Sequence, residues 1–438
     1  MIRLTGMHLL VMLLAGIFLA TPPALVSAEE EYGFDLDSFE KRTLEWGGYI
    51  EARGEHADLN QDGAFNILNL YREPRSTISS LSSALQLDGS FSKGTTSFNW
   101  LLQATGAQSD LEWTDKADIF EGYAAIKATP NLSIDLGKKS FKWGKGYAWN
   151  PVGFVDRAKD PNNPEEAMEG YLGAGFDLVK SYGGDLHTVA LTTIALPVWQ
   201  GMNEDFGEQD KVNLAAKLYM LYKDTDIDLV WYTGNSRSTR YGIDFSRNLT
   251  TNFEIHGELA HVPRQKYRVL TEAGQLGAKE VSDTSYLLGL RYLTENDITA
   301  IVEFYHNDDG YTEQETTRFF QLLDAAYNQF LASGSETLLQ QAALISESGY
   351  ARPQTGRDYL YARITMKEPF DLLYFNPGIT SIVNLDDRSY SMSPELVYTG
   401  FTNWEMRLRL SYLNGSTDSE YGEKLNSNKL EFRLRYFF

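Results

Sequence analysis

The chain closes on Leu430-Glu431-Phe432-Arg433-Leu434-Arg435-Tyr436-Phe437-Phe438, and the reading of this stretch decides the fold. Leu430, Phe432, Leu434, Tyr436 and Phe438 fall on one side of a strand, and Glu431, Arg433 and Arg435 on the other. In a soluble sandwich the charged face would meet water and the apolar face a core. In a closed barrel crossing a bilayer, the apolar face meets lipid and the charged face lines a lumen. Two other segments favour the second arrangement. Trp404, Met406, Leu408, Leu410 and Tyr412 carry an aromatic at each end of the apolar face, as do Tyr286, Leu288, Leu290 and Tyr292. Two aromatic girdles at the bilayer interfaces demand that pattern, and a sandwich core does not.

Working outward, the alternation recurs over 44–52, 98–104, 212–222, 253–259, 298–304 and 360–366, and such segments number about 16 to 18 in all. The connections between them alternate in length. Short ones are expected at 92–94, 129–131, 183–184, 223–224, 248–249 and 294–297, and long ones at 57–75, 107–118, 140–170, 263–282 and 307–355. The loops at 234–239 and 386–389 break the rule by being short, and 368–376 by being long. Short turns on one side and long loops on the other are what an up-and-down barrel gives. The expected fold is therefore an all-β, transmembrane antiparallel barrel of about 18 strands.

The chain has 438 residues, among them 26 Tyr, 23 Phe, 8 Trp and no Cys, with 39 basic residues against 60 acidic. The formal charge of −21 argues against a nucleic-acid partner, because phosphate backbones are bound through basic surface. Without cysteine there are no disulfides, thiolate metal sites, Cys nucleophiles or covalent c-type haem. Arg3 and His8 precede an apolar run from Leu9 to Ala20, Pro22 and Pro23 break it, and Val26-Ser27-Ala28 ends it with small residues. This is the form of a cleavable signal peptide, 1–28, and the run is short for a membrane anchor. A short periplasmic segment, 29–42, then leads into a barrel spanning 43–438, with 140–170 and 307–355 as large extracellular or pore-lining insertions.

The terminal Phe438, with Tyr436, Leu434 and Phe432 at alternate positions before it, resembles the recognition signal of Gram-negative outer-membrane proteins. Segments 289–310 and 387–398 also resemble porin-like channel families of unassigned substrate. The resemblance implies residence in the cell outer membrane, contact with its lipid and handling by the barrel-assembly machinery during biogenesis. It carries no residue-level function.

Closure sets the last strand beside the first. The lumen wall there carries Arg407 and Arg409, then Arg433 and Arg435, then Glu45, Glu51 and Arg53. Two readings stand together: cross-strand ion pairs that stiffen the wall, and a basic stripe that draws anionic solutes. Segment 140–170 is rich in Gly, Pro and aromatics, and Lys142, Trp143, Lys145, Tyr147 and Trp149 are its candidate constriction residues; a rigid loop packed on itself is the alternative. Asp58, Asn60, Asp62, Gly63 and Asn66 open a calcium-loop spacing, but Asn69 stands where the closing glutamate belongs, and an Asx-rich turn looks the same. Phe319, Phe320, Leu323, Tyr327, Phe330 and Leu331, then Leu338, Leu339, Ala342 and Ile345, predict two helices around Ser333-Gly334-Ser335, either packed on neighbouring loops or facing a partner. His256 between Glu254 and Glu258 is a candidate metal ligand or a hydrogen-bonded lumen residue.

No Gly-x-Ser-x-Gly, His-Glu-x-x-His or phosphate loop occurs, so a catalytic role is not expected, and no cofactor is called for. Two functions follow: a channel for passive or facilitated diffusion of small solutes, anionic ones among them, or a barrel sheathing a periplasmic or extracellular protein, such as a multihaem cytochrome or polymer-export machinery.

Overall fold

The computed structural model describes residues 43–271 and 274–438; the expected signal peptide and the 29–42 segment lie outside them. Eighteen strands, from β1 (Leu44–Leu59) to β18 (Asn426–Phe437), make one antiparallel sheet in which each strand pairs with its neighbours in sequence. The sheet closes on itself: β1 pairs with β2 (Thr77–Lys93) and with β18, setting Tyr49 opposite Phe437 and Glu51 opposite Arg435. Closure leaves no open edge among these strands, and the even strand number brings both ends of the described chain to one rim, where Phe438 N–H donates to Gly48 O (3.1 Å).

Burial runs opposite to that of a soluble sandwich. Phe432 is 48 % exposed while Arg433, the next residue, is 4 % exposed. The outer face is apolar and the interior is charged, as the alternation predicts. Aromatic pairs flank the apolar band: Trp404–Tyr436 (4.9 Å between ring centres), Trp46–Phe438 (6.0 Å) and Phe253–Tyr292 (6.1 Å) at the short-turn rim, and Tyr390–Tyr412 (6.3 Å) at the other.

The connections differ from expectation in three places. The expected loop 107–118 is a tight connection, since the third strand (Thr96–Ser109) and the fourth (Trp113–Thr129) leave only 110–112 between them. The expected loop 263–282 is mostly strand: β11 (Phe253–Leu270) and β12 (Leu276–Leu293) extend together past the apolar band. Beyond that band Arg264, Lys266 and Arg268 are exposed while the buried apolar residues, Tyr267 and Leu270, stand three apart, so period-two alternation fades although the pairing continues. Pro263, which has no N–H to give, sits at the register shift between Val262 and Gln265. The turn placed at 248–249 falls instead at 251–252, after β10 (Arg240–Thr250). At 223–224 the expectation holds: Lys223 and Asp224 both take positive φ (46° and 59°), as a two-residue type I′ hairpin requires.

Three helices decorate the long-loop rim: α1 (Ala64–Leu70), α2 (Glu313–Ser333) and α3 (Thr337–Ile345). Thr312 and Glu315 form a capping box at the start of α2, and Gly334 ends it at φ 73°. The apolar stripe of α2 is covered: Phe319, Phe320 and Leu323 cluster with Tyr267, Leu270, Tyr311, Ile345 and Tyr350. The Asx-rich stretch that opens like a calcium loop runs from the end of β1 into α1. Asn60 there donates to Gly422 O (2.6 Å), tying two rim loops together.

Candidate functional site

Segment 140–170 leaves the rim and folds into the lumen, and its own sequence begins the fold. Asp156 accepts from the backbone N–H groups of Phe141 (2.8 Å), Lys142 (2.9 Å) and Trp143 (2.9 Å), holding Lys142 at φ 54°. Two wall carboxylates then capture the backbone. Glu258 of β11 accepts from Lys145 N–H (2.6 Å), Gly146 N–H (2.7 Å), Val152 N–H (3.2 Å) and Asn150 Nδ2 (3.1 Å). Glu303 of β13 (Ile298–His306) accepts from Tyr147 N–H (2.5 Å) and Ala148 N–H (2.8 Å) and bonds His256 Nε2 (2.8 Å). Hydrogen bonds to a charged acceptor are about twice as strong as neutral ones, which suits a backbone segment with no strand partner. His256 is thus taken up by Glu303, with Glu254 3.6 Å from its Nδ1. Among the described residues no group of three or more His, Cys, Asp or Glu is placed to hold a metal ion.

The aromatics complete the fastening. Trp143, Val152 and Phe154 are buried against Ile194, Leu196, Ala215, Val230 and Tyr232 of the wall. Trp149 stacks on Tyr305 (5.1 Å) and packs with Leu287, Tyr359 and Tyr361. Lys145 reaches Asp228 of β9 (Thr225–Thr233) at 3.0 Å and Asp244 of β10 at 3.9 Å. Burial works against its charge, yet those carboxylates override it and hold the ammonium above its ordinary range. Lys159 donates to Gly146 O (2.6 Å) inside the loop, and there burial prevails and lowers its pKa. Of the five candidate constriction residues, Trp143 and Trp149 are therefore buried in loop–wall cores. Lys145 is bound to Asp228, and Tyr147 leans on the His256 ring (5.3 Å). Lys142 is exposed and lines a separate cavity of about 580 Å³ toward the long-loop side.

The opposite wall is basic. Strand register sets Arg407 of β17 (Trp404–Asn414), Arg433 of β18 and Arg53 of β1 side by side in one row. On one side of it lie Arg409, Glu431 and Glu55, and on the other Glu405, Arg435 and Glu51. Like charges directly opposite repel, so the row needs counter-charges. Glu51 supplies them to Arg53 (2.8 Å), Arg435 (2.6 Å) and Arg433 (3.8 Å). Glu395 of β16 (Tyr390–Tyr398) serves Arg409 (2.7 Å), Arg407 (3.3 Å) and Arg363 of β14 (Asp358–Met366, 3.3 Å), and Glu405 meets Arg433 (2.9 Å). Glu45, at the exposed start of β1, stands outside this ladder.

What faces the arginines across the lumen is a part of the loop that its sequence does not advertise. Asn163 Oδ1 accepts from Arg409 (2.7 Å) and Arg407 (3.2 Å). Glu166 meets Arg433 (3.2 Å) and Arg53 (3.7 Å), and Glu165 meets Arg363 (3.6 Å). Asn163 and Glu166 line both a cavity of about 710 Å³ and one of about 630 Å³, so this segment divides the lumen between them. Its only signals in the sequence are two acidic residues after Pro164, near the end of an otherwise basic loop.

Neither a family model nor a curated protein matches the chain. Solved structures do: closed outer-membrane barrels share this fold. Pseudomonas aeruginosa OccK2 (OpdF), solved in complex with glucuronate, aligns at TM-score 0.51 and 11 % identity over 90 % of this chain and 98 % of that one. Acinetobacter baumannii OccAB1 aligns at 0.52 and 12 % over 93 % and 98 %, and Pseudomonas aeruginosa OpdQ at 0.52 and 9 % over 91 % and 99 %. Identities this low establish the barrel fold that the chain shares with these structures.

Proposed function

We propose that the protein is an outer-membrane channel through which small anionic solutes diffuse, selected at the arginine row. The observation that carries the proposal is the row Arg407–Arg433–Arg53 with Arg409, Arg435 and Arg363 around it, facing a gap between two cavities. Carboxylates are bound by arginine through matched planar geometry, and the structural neighbour OccK2 was solved with a sugar carboxylate, glucuronate. The overall charge of −21 would repel anions at the mouth. Screening over about 8 Å at physiological salt hides distant acidic groups, while groups a few ångströms from the solute still act. The apolar outer face and its aromatic pairs support residence in lipid, short turns toward the periplasm, and export through the signal peptide. The terminal Phe438 motif supports delivery by the barrel-assembly machinery. A sheath for another protein is disfavoured by the infolded loop, because the cavities left beside it have the volume of small molecules.

Planar-bilayer recording tests this. Wild type should conduct with anion preference, and replacing Arg407, Arg409, Arg433 and Arg435 together by Gln should shift the reversal potential toward cations. Arg53 and Arg363 remain to pair Glu51 and Glu395, so the barrel should still fold. Unchanged selectivity would make the four arginines structural partners only.

A further inference from the structure

Resting on the channel reading, we propose that Glu165 and Glu166 occupy the anion places of the arginine wall when no solute is present, and that a dicarboxylate opens the gap by displacing them. The charge count gives the first reason. Arg53, Arg363, Arg407, Arg409, Arg433, Arg435 and Lys429 face Glu51, Glu55, Glu395, Glu405 and Glu431 on their own wall, two carboxylates short of neutrality. The loop supplies those two from adjacent residues.

Second, the loop carboxylates are held in a different manner from the wall carboxylates. The side chains of Glu51 and Glu395 are 5 % and 3 % exposed, and each takes two hydrogen bonds from one guanidinium: Arg435 to Glu51 at 3.0 and 2.6 Å, Arg409 to Glu395 at 3.2 and 2.7 Å. Glu165 is 79 % exposed, with one contact of 3.6 Å to Arg363, and Glu166 is 44 % exposed, with contacts of 3.2 Å to Arg433 and 3.7 Å to Arg53. Pairs so open to water are weak and exchangeable, whereas the buried ones, each fastened by two donors to one carboxylate oxygen, are not.

Third, few bonds fasten the segment to the wall. Upstream, Lys159 is tied to Gly146 O, and downstream Glu169 is paired with Lys138 and Arg157. Between these ties, the bonds from 160–168 to the wall, among the described residues, are those of Asn163, Glu165 and Glu166. A solute with carboxylates on Arg433 and Arg363 therefore loosens the segment that separates the two cavities, leaving it to Asn163 and the 3.7 Å contact of Glu166 with Arg53. Two arginine positions are each filled by one carboxylate, so a solute with two carboxylates competes better than a solute with one.

The test uses the full chain in detergent and in bilayers, with succinate and acetate as probes. The double variant Glu165→Gln/Glu166→Gln removes the internal competitor at constant size. Calorimetry should show succinate binding tightened about tenfold if the released state is about one-tenth populated in wild type, with a smaller gain for acetate. The native chain has no cysteine, so a spin label at Ala167→Cys reports this segment alone, and succinate should make it more mobile. Succinate affinity unchanged in the double variant, or a label unmoved by succinate, overturns the displacement while leaving anion conduction by wild type intact. A wild type that neither conducts nor binds succinate takes down the channel reading as well.

Discussion

The lumen wall of β9 to β13 presents Asp228, Asp244, Glu258 and Glu303, all buried, whereas the wall from β14 round to β1 presents arginines beside a gap. The carboxylates of the first half are committed to the loop: Glu258 and Glu303 hold the backbone of 145–152, and Asp228 and Asp244 face Lys145. The arginines of the second half are paired along the wall, but their remaining donors point at a loop segment bound by exposed carboxylates. Both halves are strongly charged, yet only one leaves its charge accessible to a solute. What distinguishes a structural from a selective charge here is whether its partner can be replaced from solution.

The largest effect should come from breaking the first half. Glu258→Ala with Glu303→Ala removes the acceptors for five backbone N–H groups and the Asn150 amide, and hydrogen bonds to charged groups contribute roughly 1.5 to 3 kcal/mol each. The loop should leave the lumen, seen as a several-fold rise in single-channel conductance and as new protease cleavage within 140–170. A double variant with wild-type conductance and an uncut loop would show that the apolar cores around Trp143 and Trp149 hold it unaided.

Lys145→Met should come next. Asp228 and Asp244 stand directly opposite across β9 and β10, and the substitution leaves two buried carboxyl groups facing each other without the ammonium they share. Removing one partner of a buried pair costs about 3 kcal/mol at the low end, and the low end applies because Lys217 stays 3.9 Å from Asp228. Denaturation in detergent should shift accordingly while ion selectivity stays anionic. A selectivity change larger than the stability change would move Lys145 into the accessible half.

The arginine wall was legible in the sequence and the gap was not, for one physical reason. Alternation fixes which face a residue takes, and closure places β18 beside β1, so Arg433 and Arg53 fall into one row without further information. The aromatic and lysine cluster at 142–149 drew attention as a segment ill suited to water. But aromatics that leave water become buried, as Trp143 and Trp149 do, and what borders the gap is what failed to bury: Asn163, Glu165 and Glu166. Glu258 drew notice beside His256 as a metal candidate, whereas its task of accepting backbone N–H groups depends on residues more than a hundred positions away. The strands at 263–282 were hidden because above the apolar band their buried apolar residues, Tyr267 and Leu270, stand three apart and break the period of two.

The smallest effect sharpens the comparison most. Lys142 is an exposed cation at the start of the loop, outside the cavities that flank the arginine row, and its backbone rather than its ammonium is what Asp156 holds. At φ 54° a lysine sits in left-handed backbone that asparagine tolerates better, so Lys142→Asn removes the charge without straining the turn. Screening over about 8 Å hides an exposed charge from solutes that do not pass close to it. The variant should therefore fold as well as wild type, and its reversal potential should move far less than in the four-arginine variant, with at most a modest fall in anion capture at low salt. A shift matching the loss of the arginines would mean that solutes are selected where the loop begins, and the accessible half of the lumen would then have to be extended to the long-loop side.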